Sequence, residues 1–338
     1  MTVRTRLRAL FVSSFAGALA LLVSASPAHA QPAPAQPAYP SKPVRLVIPF
    51  GAGGITDVAG RLIGQHLGEE LKQSVIIDNK AGAGGAIAAQ AVAQAQPDGY
   101  TLLLGTVGTQ VVNKMLYTKL NYDPAAFVPV SLVSNSPYVL AVNGIDGIAG
   151  VNDLAGLVRY AKAHPGQLNF GSAGNGSSPH LALELFKLAT KTDIVHVPFK
   201  SGAEAVNAVM GGQVQIVIDA IPVIQPQAKS GRLKMLAIAA NHRNAAVPEL
   251  PTSTEQGLPD FQIGSWNAIV APAGTSPAQI EILNQALARA LKRPAVVARL
   301  AELGIEPMTT GTPAYLAHVK SETAKWSKVI KAAGTRLD

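Results

Sequence analysis

The sequence contains no cysteine. That excludes disulfides, thiolate metal centres and a cysteine nucleophile. It also excludes a lipid-modified cysteine at an export cleavage point. Aromatic residues make up only 5%, and no run of Lys or Arg exceeds two. Nucleic-acid binding needs a concentrated basic stripe, often with stacking aromatics, so no nucleic-acid partner is expected. Neither G-x-S-x-G, H-E-x-x-H nor G-x-x-x-x-G-K-[ST] occurs. His66, His164, His196, His242 and His318 show no paired ligand spacing. No metal and no cofactor are therefore expected.

The amino end has the pattern of an export leader. Arg4, Arg6 and Arg8 precede the apolar "ALFVSSFAGALALLVSA" (9–25), and "AHA" (28–30) is a small-x-small cleavage site. Residues 1–30 are expected to be a signal peptide, with Gln31 the mature start. The apolar run is broken by Ser and Gly and falls short of the ~20 residues of a membrane span. Setting the three leader arginines aside leaves 25 basic against 20 acidic residues, a balance of +5. Residues 31–40 are rich in Pro, Ala and Gln and read as a flexible lead-in.

Beyond residue 43, strand and helix signals alternate. "VRLVIPF" (44–50), "SVIIDN" (74–79) and "YTLLLGT" (100–106) are β-rich apolar runs separated by helical periodicity over 57–71 and 86–95. This βαβαβ order implies a parallel, doubly wound sheet. A second α/β set spans roughly 151–240. "FVPVSLVSNSPYVLAVN" (127–143) and "FQIGSWNAIVAPAG" (261–274) read as crossings between lobes. Asn152 or Asp153 is expected to cap the helix over 151–164, and Ser276 and Thr312 to cap the C-terminal helices, each with Pro following. The expected architecture is α/β and two-lobed. One lobe takes 40–138 plus 264–338, the other 139–263, and a ligand cleft lies between them.

Two glycine turns stand out. "FGAGGITDVAG" (50–60) and "NKAGAGGAIAAQ" (79–90) each follow a strand and open a helix. Open α/β sheets bind ligands outside the carboxyl ends of their strands. A helix start offers unpaired N–H groups and partial positive charge, and glycine lets an anion approach them. Thr56 and Ile87 occupy the last glycine of the dinucleotide fingerprint, so the turns do not match it. The chemistry pointed to is a small anion held by backbone amides.

Taken together, "KPVRLVIPFGAGGITDVAGR" (42–61), "VIIDNKAGAGGAIAAQAVAQAQPDGYTLLLGT" (75–106), "GSAGNGSSPHLALELF" (171–186), "VPFKSGAEAVNAVMGGQVQIVID" (197–219) and "SGRLKMLAI…PTSTEQGLPDF" (230–261) resemble the substrate-binding proteins of tripartite tricarboxylate transporters, the TctC or Bug family. The resemblance covers nearly the whole mature chain. It implies a periplasmic, two-lobed, non-enzymatic receptor that carries a small organic anion to membrane permease subunits, acting as a monomer.

The resemblance also implies ligand contacts. In the first lobe these are Phe50, Gly51, Ala52, Gly53 and Gly54 with Asp57; Ala83, Gly84 and Gly85; and Gly105, Thr106 and Thr109. From the second lobe they are Ser172, Ala173, Gly174, Asn175, Ser177 and Ser178, then Phe199, Lys200 and Asp219. Lys200-Ser201-Gly202 and Ala220-Ile221 depart from the family's usual residues, which bears on ligand identity rather than fold.

Several residues carry two readings. Asp57 either lines the cleft or complements the helix dipole. His180 either braces its turn or reaches the ligand. Lys200 is a ligand cation or a solvated lysine. Asp219 accepts backbone N–H bonds or joins a ligand water network. An exported hydrolase or lyase and a ligand sensor are the alternatives to transport.

Overall fold

The structure is a computed structural model and describes residues 39–334. The expected leader and most of the lead-in lie outside the described residues. Strands β1 (Val44–Ile48), β2 (Val75–Asn79) and β3 (Thr101–Thr106) alternate with helices α1 (Ile55–Leu71) and α2 (Ala86–Ala93). A short helix α3 (Asn113–Leu116) leads to the long strand β4 (Val128–Asn143). Then follow α4 (Leu154–Ala163), β5 (Asn169–Ser172), α5 (Ser178–Thr190), β6 (Val195–Pro198), α6 (Gly202–Met210), β7 (Ile216–Ala220), α7 (Ile221–Lys229) and β8 (Leu233–Ile238). The chain closes with β9 (Gly264–Ala271), α8 (Pro277–Lys292), α9 (Pro294–Glu302), the two-residue β10 (Glu306–Pro307) and α10 (Thr312–Ala333).

The helix ends follow local chemistry. Asp153 caps α4 by accepting from Gly156 N–H. Ser276 and Gln279 form a reciprocal capping box at α8, with Pro277 in the first turn. Thr312 is not the cap of α10. Gly311 holds that position in extended backbone, and Thr312 is already helical.

β4 decides the architecture. Its first part, Val128–Pro137, pairs with β9, and β9 pairs antiparallel with β3. From Tyr138 onward β4 pairs instead with β7 and β8. In the segment 261–274, Phe261 O accepts from the Ser253 hydroxyl and Ile263 N–H donates to Ala239 O, while the strand proper starts at Gly264 and pairs within the first group.

The registers fix which edges meet. Thr106, at the carboxyl end of β3, is level with Asn267, and Asn267 with Ser134 on β4. Ala220, at the carboxyl end of β7, is level with Tyr138. β4 thus leaves the first group at the carboxyl edge of its parallel strands and enters the second at the carboxyl edge of that group. Tyr138 lies four residues beyond Ser134, about 13 Å of extended chain. The two carboxyl edges of the sheet therefore face one another across that span.

One apolar cluster flanks α1 and α8 and includes Leu46, Ile63, Leu104, Ile269 and Leu287. A second, with Val139, Val206, Val217 and Ile224, packs α6 and α7. A third runs under both strand groups and includes Phe170, Phe186, Tyr138, Trp266 and Trp326. Each fully buried aliphatic side chain contributes about 1.5–3 kcal/mol relative to exposure. The rigid cores hold the turns at the facing edges in place.

Candidate functional site

The first glycine turn is exposed from Phe50 through Gly54, with Phe50 39% accessible. Asp57 organises it from below. One carboxylate oxygen accepts from Gly53 N–H at 2.9 Å and from Arg61 Nε at 3.0 Å. The other accepts from Asn79 Nδ2 at 2.9 Å. Asn79 also donates to Phe50 O at 2.9 Å and accepts from Arg61 at 2.9 Å. Asp57 is buried. Burial by itself would raise its pKa, but hydrogen bonds from Arg61, Gly53 and Asn79 outweigh that and hold the carboxyl below its ordinary range.

Asp57 thus faces the protein rather than a ligand, and it takes one of the amides counted as an anion donor. It sits three residues past the cap Gly54 and reaches back along the chain, as the acidic partner of a capping box does. Among the described residues, the amides of Gly54, Ile55 and Thr56 have no protein acceptor. Asn79 was missed from sequence although it begins the second glycine motif. A polar residue closing an apolar strand was the available signal.

The second turn is tighter. Ala83 itself lies in the left-handed region, at φ 46, between glycines that do the same. Gly85 N–H donates to Gly82 O, and Ala86 N–H to Ala83 O, so these amides are spent internally. Gly84 is exposed, and its carbonyl accepts from Asn113 Nδ2 at 3.1 Å.

The loop after β3 does not expose its threonines. Thr106 and Thr109 are buried and bonded to each other, with Thr106 N–H donating to Thr109 Oγ1 at 2.9 Å. Thr109 O accepts from Tyr122 OH at 2.8 Å. The methyl of Thr109 packs against Gly85, where a Cβ would come within 2.8 Å. Thr109 therefore supports the second turn instead of reaching the cleft. Gly105 leaves room for the side chain of Gln110.

On the opposite edge, Ser172 is buried and its hydroxyl lies 2.6 Å from His196 Nε2. Ser177 caps α5 and donates to Gly174 O at 2.7 Å. Gly176 N–H donates to His180 Nδ1 at 3.0 Å, which assigns His180 to its turn. His180 stacks on His196 with ring centres 4.0 Å apart. Burial lowers both imidazoles to pKa values of about 4, with Lys187 adding to the effect. Ala173 and Ser178 are half-buried and Asn175 is exposed. Phe199 packs over Gly171, and Lys200 is exposed without an ion pair among the described residues.

Asp219 is the penultimate residue of β7 and nearly buried. Burial pushes its carboxyl up to about 6, opposed by the bond from Ala220 N–H at 2.7 Å. Its second oxygen lies against the Cα of Gly202, at the start of α6. Where β4 changes partners, burial and then the Asp219 charge raise the Tyr138 hydroxyl pKa, opposed by Ser178 and Ser265 beside that hydroxyl. Tyr138 and Ser265 were not predicted. Only strand register brings them to the junction.

Among the described residues no group of three or more His, Asp or Glu could hold a metal. No helix there is long and apolar enough to cross a membrane.

Comparison with known proteins decides the family. Residues 59–335 match the family described as "Tripartite tricarboxylate transporter family receptor". The chain belongs to that family. BugT of Bordetella pertussis is 35% identical over 305 residues, 88% of this chain and 91% of its own. A protein of R. palustris solved with adipate is 36% identical with a TM-score of 0.81, covering 88% of this chain and 100% of its own. MatC from Rhodopseudomonas palustris, solved with bound malate, is 36% identical with a TM-score of 0.74, over 86% of this chain and 100% of its own. The two-lobed α/β fold of periplasmic binding proteins is shared with these structures, and they are solute-binding proteins rather than enzymes.

Proposed function

We propose that this receptor captures a small organic carboxylate between its lobes and hands it to the membrane permease of a tripartite transporter. One lobe comprises 40–138 with 264–338 and the other 139–263, hinged near 138–143 and 262–266. The observation that carries the reading is the start of α1. The amides of Gly54, Ile55 and Thr56 have no protein acceptor and sit behind the exposed turn at a carboxyl edge. An anion at such a helix start is favoured by both hydrogen bonding and the helix dipole.

The ligand is an aliphatic or aromatic mono- or dicarboxylate. The adipate and malate of the R. palustris structures support this class. The first turn offers mainly backbone, which recognises a carboxylate without reading the rest of the molecule. Selectivity comes from the second lobe, through Ser177, Ser178, Phe199, Lys200 and Asp219. The closed form is selected because the ligand bridges both edges. The protein acts as an exported monomer.

A thermal-shift screen over organic acids, sugars and cations tests this. At a hundredfold excess over Kd, a matching carboxylate should stabilise the fold by about 2.7 kcal/mol. Shifts from only cations or neutral sugars would overturn the reading. Delivery is tested by uptake of the identified acid into permease-bearing vesicles, which the purified receptor should stimulate.

A further inference from the structure

We infer that Asn267 is a specificity-determining residue of the first lobe, its side-chain N–H2 donating to the carboxylate group held at the start of α1. The inference rests on the carboxylate reading above and adds a side chain to the first-lobe half of the site, which otherwise offers mainly backbone.

Asn267 lies on β9 between Thr106 of β3 and Ser134 of β4, in the row that forms the carboxyl edge. It is 2% exposed. Its Oδ1 accepts from the Ser134 hydroxyl at 3.1 Å, which fixes the amide plane and leaves Nδ2 on the other side. That Nδ2 is buried with no hydrogen-bond partner. Native proteins rarely leave a buried donor unpaired, and each exception calls for an explanation, of which an acceptor supplied by a bound molecule is one.

The helix above supplies the geometry. Asn267 has the strand parity of Ile269 and Ala271, which pack in the cluster under α1 and α8. Gly60 of α1 sits directly on Ile48 and Leu104, where a Cβ would come within 2.6 and 2.9 Å. Thr56 lies one helical turn before Gly60, and Thr106 lies two strand residues beyond Leu104. One turn is about 5.4 Å and two strand residues about 6.6 Å. The unpaired amides of Gly54, Ile55 and Thr56 therefore overlie the Thr106–Asn267 row. Main-chain donors from above and one side-chain donor from below converge on the same small volume, and both lack acceptors. A carboxylate has two oxygens and enough lone pairs to satisfy both sets. Asn267 thus selects an acceptor at the deep end of the site and rejects a ligand that presents a donor there.

The test uses the full mature protein with adipate, malate and a panel of C3–C8 mono- and dicarboxylates, read by calorimetry and thermal shift. Asn267→Asp keeps the acceptor for Ser134 but replaces the donor with a negative charge. The double variant Ser134→Ala/Asn267→Leu removes both partners and strands neither. We expect Asn267→Asp to weaken binding of the best wild-type ligand at least a hundredfold, and the double variant about tenfold, with the unliganded melting point of the double variant not below that of the wild type. Gly54→Pro, which deletes one main-chain donor, serves as the control for the underlying site. If both Asn267 variants bind as the wild type while Gly54→Pro loses affinity, the carboxylate site stands and the role of Asn267 is overturned. If Gly54→Pro also binds normally, or the wild type binds no carboxylate, both readings fall.

Discussion

The Asp57 carboxylate accepts from the N–H of Gly53, four residues earlier and 2.9 Å away. An acidic side chain thereby shapes a turn whose remaining amides stay open to an anion. Because Asp57 is saturated by Gly53, Arg61 and Asn79, its charge is compensated before any ligand arrives.

Removing it should loosen the turn. Asp57→Ala removes the acceptor of the part-buried donors on Gly53 and Asn79, and each hydrogen bond to a charged group is worth about 1.5–3 kcal/mol. We expect a stability loss of about 2 kcal/mol or more in urea denaturation, with weaker carboxylate binding. Asp57→Asn, which keeps an acceptor, should lose less. Equal denaturation midpoints for wild type and Asp57→Ala would refute this role.

The two glycine turns should respond differently to a methyl group. Gly53 has φ +87 with nothing within 4 Å of an added Cβ. Gly85 has φ +86, but its Cβ would meet Pro49 and Thr109 at 2.8 Å. Gly53→Ala should cost about 1–2 kcal/mol of backbone strain. Gly85→Ala adds an overpacking cost of about 1–3 kcal/mol. Denaturation curves that rank the two the other way would contradict the packing described.

Acid should unfold the second strand group through its stacked histidines. Burial holds His180 and His196 at about 4, against 6.5 for a free imidazole. The unfolded chain binds more protons between those values, so stability present above pH 6.5 falls as the pH drops toward 4. Asp219, raised to about 6, works in the opposite sense over the same window because the folded state takes its proton first. His180→Gln/His196→Gln should flatten the stability–pH profile there. Asp219→Asn should steepen it and stabilise the protein at pH 7 by about 1–3 kcal/mol. A melting-temperature profile from pH 7 to 4 that neither variant alters would count against the scheme.

Both tryptophans of the chain report on one carboxylate. Trp266 and Trp326 each donate Nε1–H to Glu322 Oε2 at 3.0 Å. Glu322→Leu should leave two buried indole donors unmet at about 1–3 kcal/mol each. Tryptophan emission, measured alongside urea unfolding, should shift together with the lost stability. Unaltered emission with full stability would show that the indoles find other partners.

Much of the fold was legible because its signals are local. Apolar runs of strand length, helical periodicity and the capping pair Ser276–Gln279 all act within a few residues. Thr312 was misread as a cap because Gly311 can take the extended conformation of that position without a side-chain bond. β10 escaped notice because two residues carry no periodicity, and its pairing partner Asn135 lies far away in sequence.

The site was legible only in outline. Its glycine turns and serine loop were named, but Asp57 and Thr109 face protein rather than ligand, and His180 braces a turn. Asn79 opened a motif that did not mark its own role, and Tyr138, Ser265 and Asn267 carried no motif.

The sequence by itself determined the α/β alternation, the positions of the glycine-rich helix starts and the family, because these depend on residue order and local periodicity. Only the tertiary structure decided which donors remain free. A hydrogen bond between Asp57 and Asn79, or an unpaired amide on Asn267 beside Ser134, depends on strand register and on which face each side chain takes. Those are set by pairings between segments far apart in the chain, which no local pattern encodes.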